Sequence, residues 1–190
     1  TCAQAAVALG VMANNRACGA LLAAAGRALD DRALHHALTY ALIEIDDYDA
    51  TLSGLSSREP GTVLAALWAL DQMNASRLEF LDLRPFLESP QPAVRDAART
   101  IIATHPEWDA AVANLFFSWG DSIDSTRRDM LFDLTPSFAQ SPPLRDYLTS
   151  LLNGEAVGER LLAFELIAAC DRIEFAPAWE PAFRASLDGP

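Results

Sequence analysis

The sequence predicts an all-α fold, an α-solenoid of short helical repeats, from three observations. Apolar residues recur at helical spacing, as in Leu34, Leu38, Leu42 and Ile45, which fall at i, i+4, i+8 and i+11 on one stripe. Proline stands just ahead of apolar runs, at Pro60, Pro92, Pro106, Pro142 and Pro181, where the first helical turn needs no N–H. The runs themselves return about every 30 residues, within the window for stacked helical repeats. No segment alternates with period two between hairpin turns, so no strands are expected.

Each element follows in turn. The first 59 residues hold no proline and are punctuated by Asn14-Asn15 and by Gly26 through Asp31. Asp30 offers a cap for the run from Arg32, which carries the first stripe through Ile45. Asp46 or Asp49 is expected to cap a shorter helix from Thr51 to Leu55. After Pro60, the positions Val63, Leu67, Leu70 and Met73 repeat the stripe, with Leu64 and Trp68 widening its face. A short helix spans Leu81 to Leu87, and Ser89-Pro90 reads as a cap ahead of Val94, Ala98, Ile101 and Ile102. His105-Pro106-Glu107-Trp108 is a helix start with Trp108 turned inward, leading a helix to Trp119. Asp124 and Ser125 open the next long run, and Thr135-Pro136 and Ser141-Pro142 read as further cap–proline pairs. Leu144 to Leu152 and the run from Val157 follow, with Asn153-Gly154 and Asp188-Gly189 as helix punctuation.

Laid end to end, the runs opening near Arg32, Thr62, Ala93, Ser125 and Val157 share one character: a long helix followed by a shorter apolar one. Alanines 37, 41, 65, 66, 97 and 98 allow close approach between neighbours. A tetratricopeptide array would carry Trp-Leu-Gly-Tyr signatures and ankyrin Thr-Pro-Leu-His; neither appears. A four-helix bundle would need fewer and longer helices. The expectation is a single HEAT-like domain over 1–190, about five to six helix pairs, each unable to bury its apolar face alone. Thr1 stands where an initiator Met would, so the expectation is a processed or excised piece of a longer chain.

Composition excludes several functions. The 190 residues include 26 acidic and 14 basic side chains, all of the latter Arg, for a net charge of −12. With 51% hydrophobic residues the chain has enough apolar material to fold. The acidic balance argues against nucleic acid as a partner, since tracking phosphates requires clustered Lys or Arg. The longest uncharged stretch, Thr1 to Asn15, is too short to span a membrane. Three cysteines, at positions 2, 18 and 170, are too scattered for zinc or a closed disulfide framework.

Four groups attract chemical hypotheses. His35 and His36 are adjacent, so they point about 100° apart on a helix, and neither has a ligand four residues on. His36 is expected at a helix seam, with His35 more exposed. Glu44, Asp46, Asp47 and Asp49 concentrate carboxylate, without the Gly and bidentate Glu of a calcium loop. His105 with Glu107 could act as acid and base only within a cleft. Arg95, Arg99, Arg127 and Arg128 stand beside Asp96, Asp124 and Asp129, where pairing within and between repeats is expected. No Ser-centred elbow, phosphate loop, dinucleotide fingerprint or Cys-X-X-Cys-His appears. No catalytic, cofactor-binding or metal-ligating residue is therefore assigned.

The span from Leu34-His-His-Ala-Leu-Thr-Tyr-Ala-Leu-Ile-Glu-Ile to Ala69-Leu-Asp-Gln-Met73, with Ser89 to Ile102 and His105-Pro-Glu-Trp108, resembles a known sequence type. It is similar to the HEAT-repeat segment of planctomycete-type (PVC group) membrane-bound dehydrogenase-like proteins. The resemblance covers about residues 30–110. It implies an exported or periplasmic parent with a sugar-dehydrogenase-like β-propeller and a C-terminal c-type haem domain. This chain carries neither, so no catalytic or haem residue transfers. The function expected is a non-catalytic scaffold or protein-interaction module, whose partner is a protein or the neighbouring domains of the parent chain. The alternatives are a part of an oxidoreductase whose catalytic and haem residues lie outside this chain, and a nucleic-acid-binding helical repeat.

Overall fold

Helices account for every regular element that a computed structural model describes, over residues 2–74, 76–120 and 122–187. The all-α expectation therefore holds for the described residues. The Asp188-Gly189 punctuation lies outside them. The chain gathers into two units, Thr1–Ile101 and Ile102–Pro190.

The first unit opens with α1 (Cys2–Val11), a 3-10 turn at Asn15–Ala17, and α2 (Cys18–Arg27). Next come α3 (Arg32–Ile45), α4 (Tyr48–Leu52) with a 3-10 turn at Ser53–Ser56, and α5 (Pro60–Gln72). A short α6 (Phe80–Leu83) runs into a 3-10 turn at Arg84–Phe86, and α7 (Pro92–Ala103) follows. The core lies where α3 packs against α1, α2 and α5, and where α2 packs against α5. Alanine and leucine dominate it: Ala25, Ala41, Leu42, Ala65, Ala66, Leu67 and Leu70 are all fully buried.

Local chemistry explains the boundaries. Asp31, not Asp30, caps α3 by accepting from the Leu34 N–H at 3.0 Å. Asp46 ends that helix in the left-handed conformation, φ 57°, where a short polar side chain is tolerated. Asp47 is then the first residue free to cap α4, and it accepts from the Ala50 N–H at 3.1 Å. The caps expected from Asp46 and Asp49 are thus corrected to Asp47. Pro60 and Pro92 are the first residues of α5 and α7. Ser89 caps neither its own proline nor α7; its hydroxyl accepts from Gln91 N–H in the turn ahead of Pro92.

Close approach of backbones governs the α2/α5 contact. A Cβ on Gly61 would stand 2.4 Å from the Ala25 carbonyl oxygen, and one on Gly26 would stand 2.6 Å from Thr62 Oγ1. Thr62 itself donates to the Leu22 carbonyl at 3.0 Å, so the polar group entering this seam is satisfied.

The second unit, which begins at Ile102 in the last turn of α7, continues with the 3-10 turn Pro106–Trp108 and α8 (Asp109–Trp119). It continues through α9 (Ser125–Phe138), α10 (Pro142–Leu152) and α11 (Val157–Ala168). A 3-10 turn at Pro177–Trp179 leads to α12 (Glu180–Leu187). Asp124 caps α9 and Ser141 caps α10, as the sequence suggests. Pro136 is a correction: it lies inside α9, two residues before its end, rather than after a cap. A helix passes through proline there at the loss of one backbone hydrogen bond to the residue four earlier. α10 packs against α8 and α11, and the core centres on Phe116, Met130, Leu131, Leu134, Leu148 and Trp179.

Candidate functional site

The first unit carries a groove of about 450 Å³ along α3 and α5. Its origin is in the sequence. Arg32, His36 and Tyr40 recur every four residues along α3, so they form one ridge; Leu64, Trp68 and Gln72 do the same along α5. His35, in the first turn of α3, reaches the Gly61 carbonyl in the first turn of α5. The two helices therefore start side by side, and their ridges face each other across the groove.

The floor is apolar and the ends are not. Ile43, Leu64 and Trp68 are half-buried, while Arg32, His36, Tyr40 and Gln72 are exposed. His35 Nε2 lies 2.8 Å from the Gly61 oxygen. A carbonyl only accepts, so Nε2–H donates and fixes the ring as a wall of the groove. Thr39 supports it, donating from Oγ1 to the His35 carbonyl at 3.0 Å. At the far end Glu44 holds the Tyr40 phenol above its usual pKa, by a hydrogen bond and by its charge. The Arg32 side chain has no ion-pair partner among the described residues. Among the described residues no carboxylate lines the groove, although the chain holds 26 acidic residues.

A second hollow, about 340 Å³, lies between α1, α2 and α3 and is lined by Leu9, Leu21, Leu34 and Leu38, with Arg27 the only charged side chain among the described residues that line it. Polar groups that could orient a ligand are fewer there.

The candidates from the sequence fall apart or take structural roles. The histidine pair is reversed: His35 is the buried member at the α3/α5 seam and His36 the exposed one. Burying His35 is possible because the Gly61 carbonyl supplies a partner. Asp49 pairs with Arg77 at 2.8 Å on the surface, and Arg77 lies over the Tyr48 ring. Asp46 and Asp47 terminate and start helices. Among the described residues no group of three or more His, Cys, Asp or Glu could hold a metal ion.

His105 does meet Glu107, with Nδ1 2.7 Å from Oε1, but on an exposed turn rather than in a cleft. The hydrogen bond from His105 holds the Glu107 carboxyl below its usual pKa, helped by a backbone N–H and the imidazole charge. Trp108 is half-buried and stacks on His105 with ring centroids 4.1 Å apart. The arginines divide. Arg128 reaches Glu165 across from α9 to α11. Arg127 donates to the Ser122 carbonyl and lies over the Trp119 ring. Arg95 donates to the Ser89 carbonyl, and Arg99 is buried.

Sequence reasoning placed Leu64 and Trp68 in an apolar face and missed the groove beside them. The available signal was the Arg32–His36–Tyr40 ridge, a polar and aromatic row on a helix whose opposite face is apolar. Among the described residues no helix is long and apolar enough to cross a membrane. Comparison with family models, with curated proteins and with solved structures returns no match.

Proposed function

We propose that this chain is a HEAT-like helical-repeat module, a non-catalytic scaffold that binds protein and joins the domains of a larger dehydrogenase-like haem protein. One observation carries the reading: long helices open at Arg32, Pro60, Pro92, Ser125 and Val157, about 30 residues apart, with shorter helical elements between them. Repeats of that kind bury their apolar faces on their neighbours and leave ridged surfaces for partners. The α3/α5 groove, with Tyr40 and Trp68 accessible, is such a surface, because aromatic side chains bind well at low entropic cost. The catalytic and haem chemistry of the parent belongs to other domains in this reading.

Two measurements test it. Small-angle scattering of the chain should give a radius of gyration above the roughly 16 Å of a compact globule of this length. A value at or below that figure would overturn the solenoid. The coding sequence on either side should specify a β-propeller before and a Cys-X-X-Cys-His haem domain after. Flanks with neither would overturn the linking role.

A further inference from the structure

We propose that the α3/α5 groove takes a short extended peptide from a protein partner, one that sets a single carboxylate three to four residues from an aromatic or leucine side chain. The proposal rests on the reading of the chain as a protein-interaction module and names the partner chemistry of its groove.

Charge fixes the first requirement. Arg32 and His36 stand together at one end, and among the described residues Arg32 has no ion-pair partner and no carboxylate lines the groove. Asp30 and Asp31 precede Arg32 but neither lines the groove, and Asp31 is engaged in capping α3 through the Leu34 N–H, so within the groove itself Arg32 favours an anion. Glu44, beside Tyr40 at the other end, repels an anion there and so gives the groove a direction. The carboxylate belongs at Arg32, and the apolar side chain belongs against Tyr40, Trp68 and Leu64. Net charge also limits the partner. Repulsion from the whole chain acts over a Debye length of about 8 Å at physiological salt, so a strongly acidic segment is disfavoured against one with a single carboxylate.

Length fixes the second requirement. Eight residues separate Arg32 from Tyr40, which at a rise of 1.5 Å spans about 12 Å. An extended peptide advances about 3.3 Å per residue, so three to four residues connect the two ends.

The test is an amide-resolved NMR titration of the whole ¹⁵N-labelled chain with acetylated, amidated Glu-Ala-Ala-Phe and Phe-Ala-Ala-Glu peptides. At least one order should give saturable shifts confined to residues 29–43 and 61–72. The Gln-for-Glu peptide, and the Arg32→Gln variant with the original peptide, should each bind about five-fold more weakly, the scale of one partly exposed ion pair. Arg32→Glu should reverse the preference, favouring a Lys-for-Glu peptide. Trp68→Ala should remove saturation for all of them. Equal affinity for the Glu and Gln peptides, shifts elsewhere on the chain, or no saturable shifts would overturn the proposal. Those failures leave the scattering and flanking-sequence outcomes untouched, so the groove and the scaffold stand or fall separately.

Discussion

The two units fill their interiors by opposite means. Between α2 and α5 of the first, glycine and alanine bring backbones into contact: Ala25, Ala65 and Ala66 are fully buried, and Gly61 has no space for a Cβ. In the second unit aromatic rings occupy the gaps. Phe116, Trp119 and Tyr147 form one cluster, with centroids 5.2 and 5.5 Å apart. A second group joins buried Trp179 to the half-buried Phe164 and Phe183 through the exposed Phe175, at 4.9, 5.3 and 5.9 Å. An interior built on close backbone approach is damaged by added atoms, whereas one built on large rings is damaged by removed ones.

The largest expected effect comes from removing a ring. Trp179 is fully buried, and its indole N–H donates to Thr149 Oγ1 at 2.8 Å, tying the 3-10 turn before α12 to α10. Trp179→Ala should destabilise the chain by about 3–5 kcal/mol, combining lost burial with a cavity that the two flanking helices close only partly. Urea unfolding followed by circular dichroism measures it. A loss under about 1 kcal/mol would mean that the ring cluster does not hold this unit.

Adding a single methyl is the complementary experiment. Gly61→Ala puts a Cβ 2.4 Å from the Ala25 carbonyl oxygen, a rigid backbone atom that cannot swing aside. Helix propensity alone would favour alanine in α5 by about 1 kcal/mol. Overpacking should outweigh it and give a net destabilisation of about 1–3 kcal/mol. A stabilised variant would show that the seam has slack and would break the contrast between the units. Gly19 is the internal control, because a Cβ there meets nothing within 4 Å. Gly19→Ala should stabilise α2 or leave it unchanged in the same unfolding experiment.

The contrast also separates what the sequence discloses from what it conceals. Helix identity was legible because the stripe in Leu34, Leu38, Leu42 and Ile45 is a local property of the chain, and Pro60 and Pro92 mark helix starts directly. Caps were legible to within one or two residues. Asp31 does the work expected of Asp30, and Asp47 does that expected of Asp46 or Asp49, because the left-handed Asp46 ends α3 and leaves Asp47 as the next residue able to cap α4. The histidine order was not legible at all. His35 is buried by a carbonyl 26 residues away, and no local pattern encodes that meeting. Pro136 misled for a related reason: tertiary packing of Leu134, Thr135 and Phe138 carries α9 past a residue that local rules treat as a stop. The groove was half legible. Each ridge is visible in the sequence as a row of every fourth residue, but the side-by-side start of α3 and α5 is a long-range fact.

Each unit carries both buried and exposed polar contacts, and the smallest expected effect lies at an exposed one. The first unit holds the His35 and Thr62 hydrogen bonds within a seam and Asp49–Arg77 on its surface, while the second buries Trp179–Thr149 and keeps His105–Glu107 at its rim. The Glu107 carboxyl titrates below its ordinary value of 4.5 because His105 bonds to it. A carboxyl depressed on folding adds stability that is present above the unfolded value and fades as pH falls through the lower folded one. The Glu107 side chain is 61% exposed, so solvent screens most of that contribution. His105→Ala should therefore move the Glu107 titration, followed by ¹³C NMR, upward toward the ordinary carboxylate range, with the backbone N–H still holding it somewhat down. The unfolding midpoint at pH 7 should stay within the scatter of surface substitutions, about 0.5 kcal/mol. A loss at pH 7 as large as that of Gly61→Ala would mean that the rim pair is structural, and that an exposed polar contact can weigh as much as the packed α2/α5 seam.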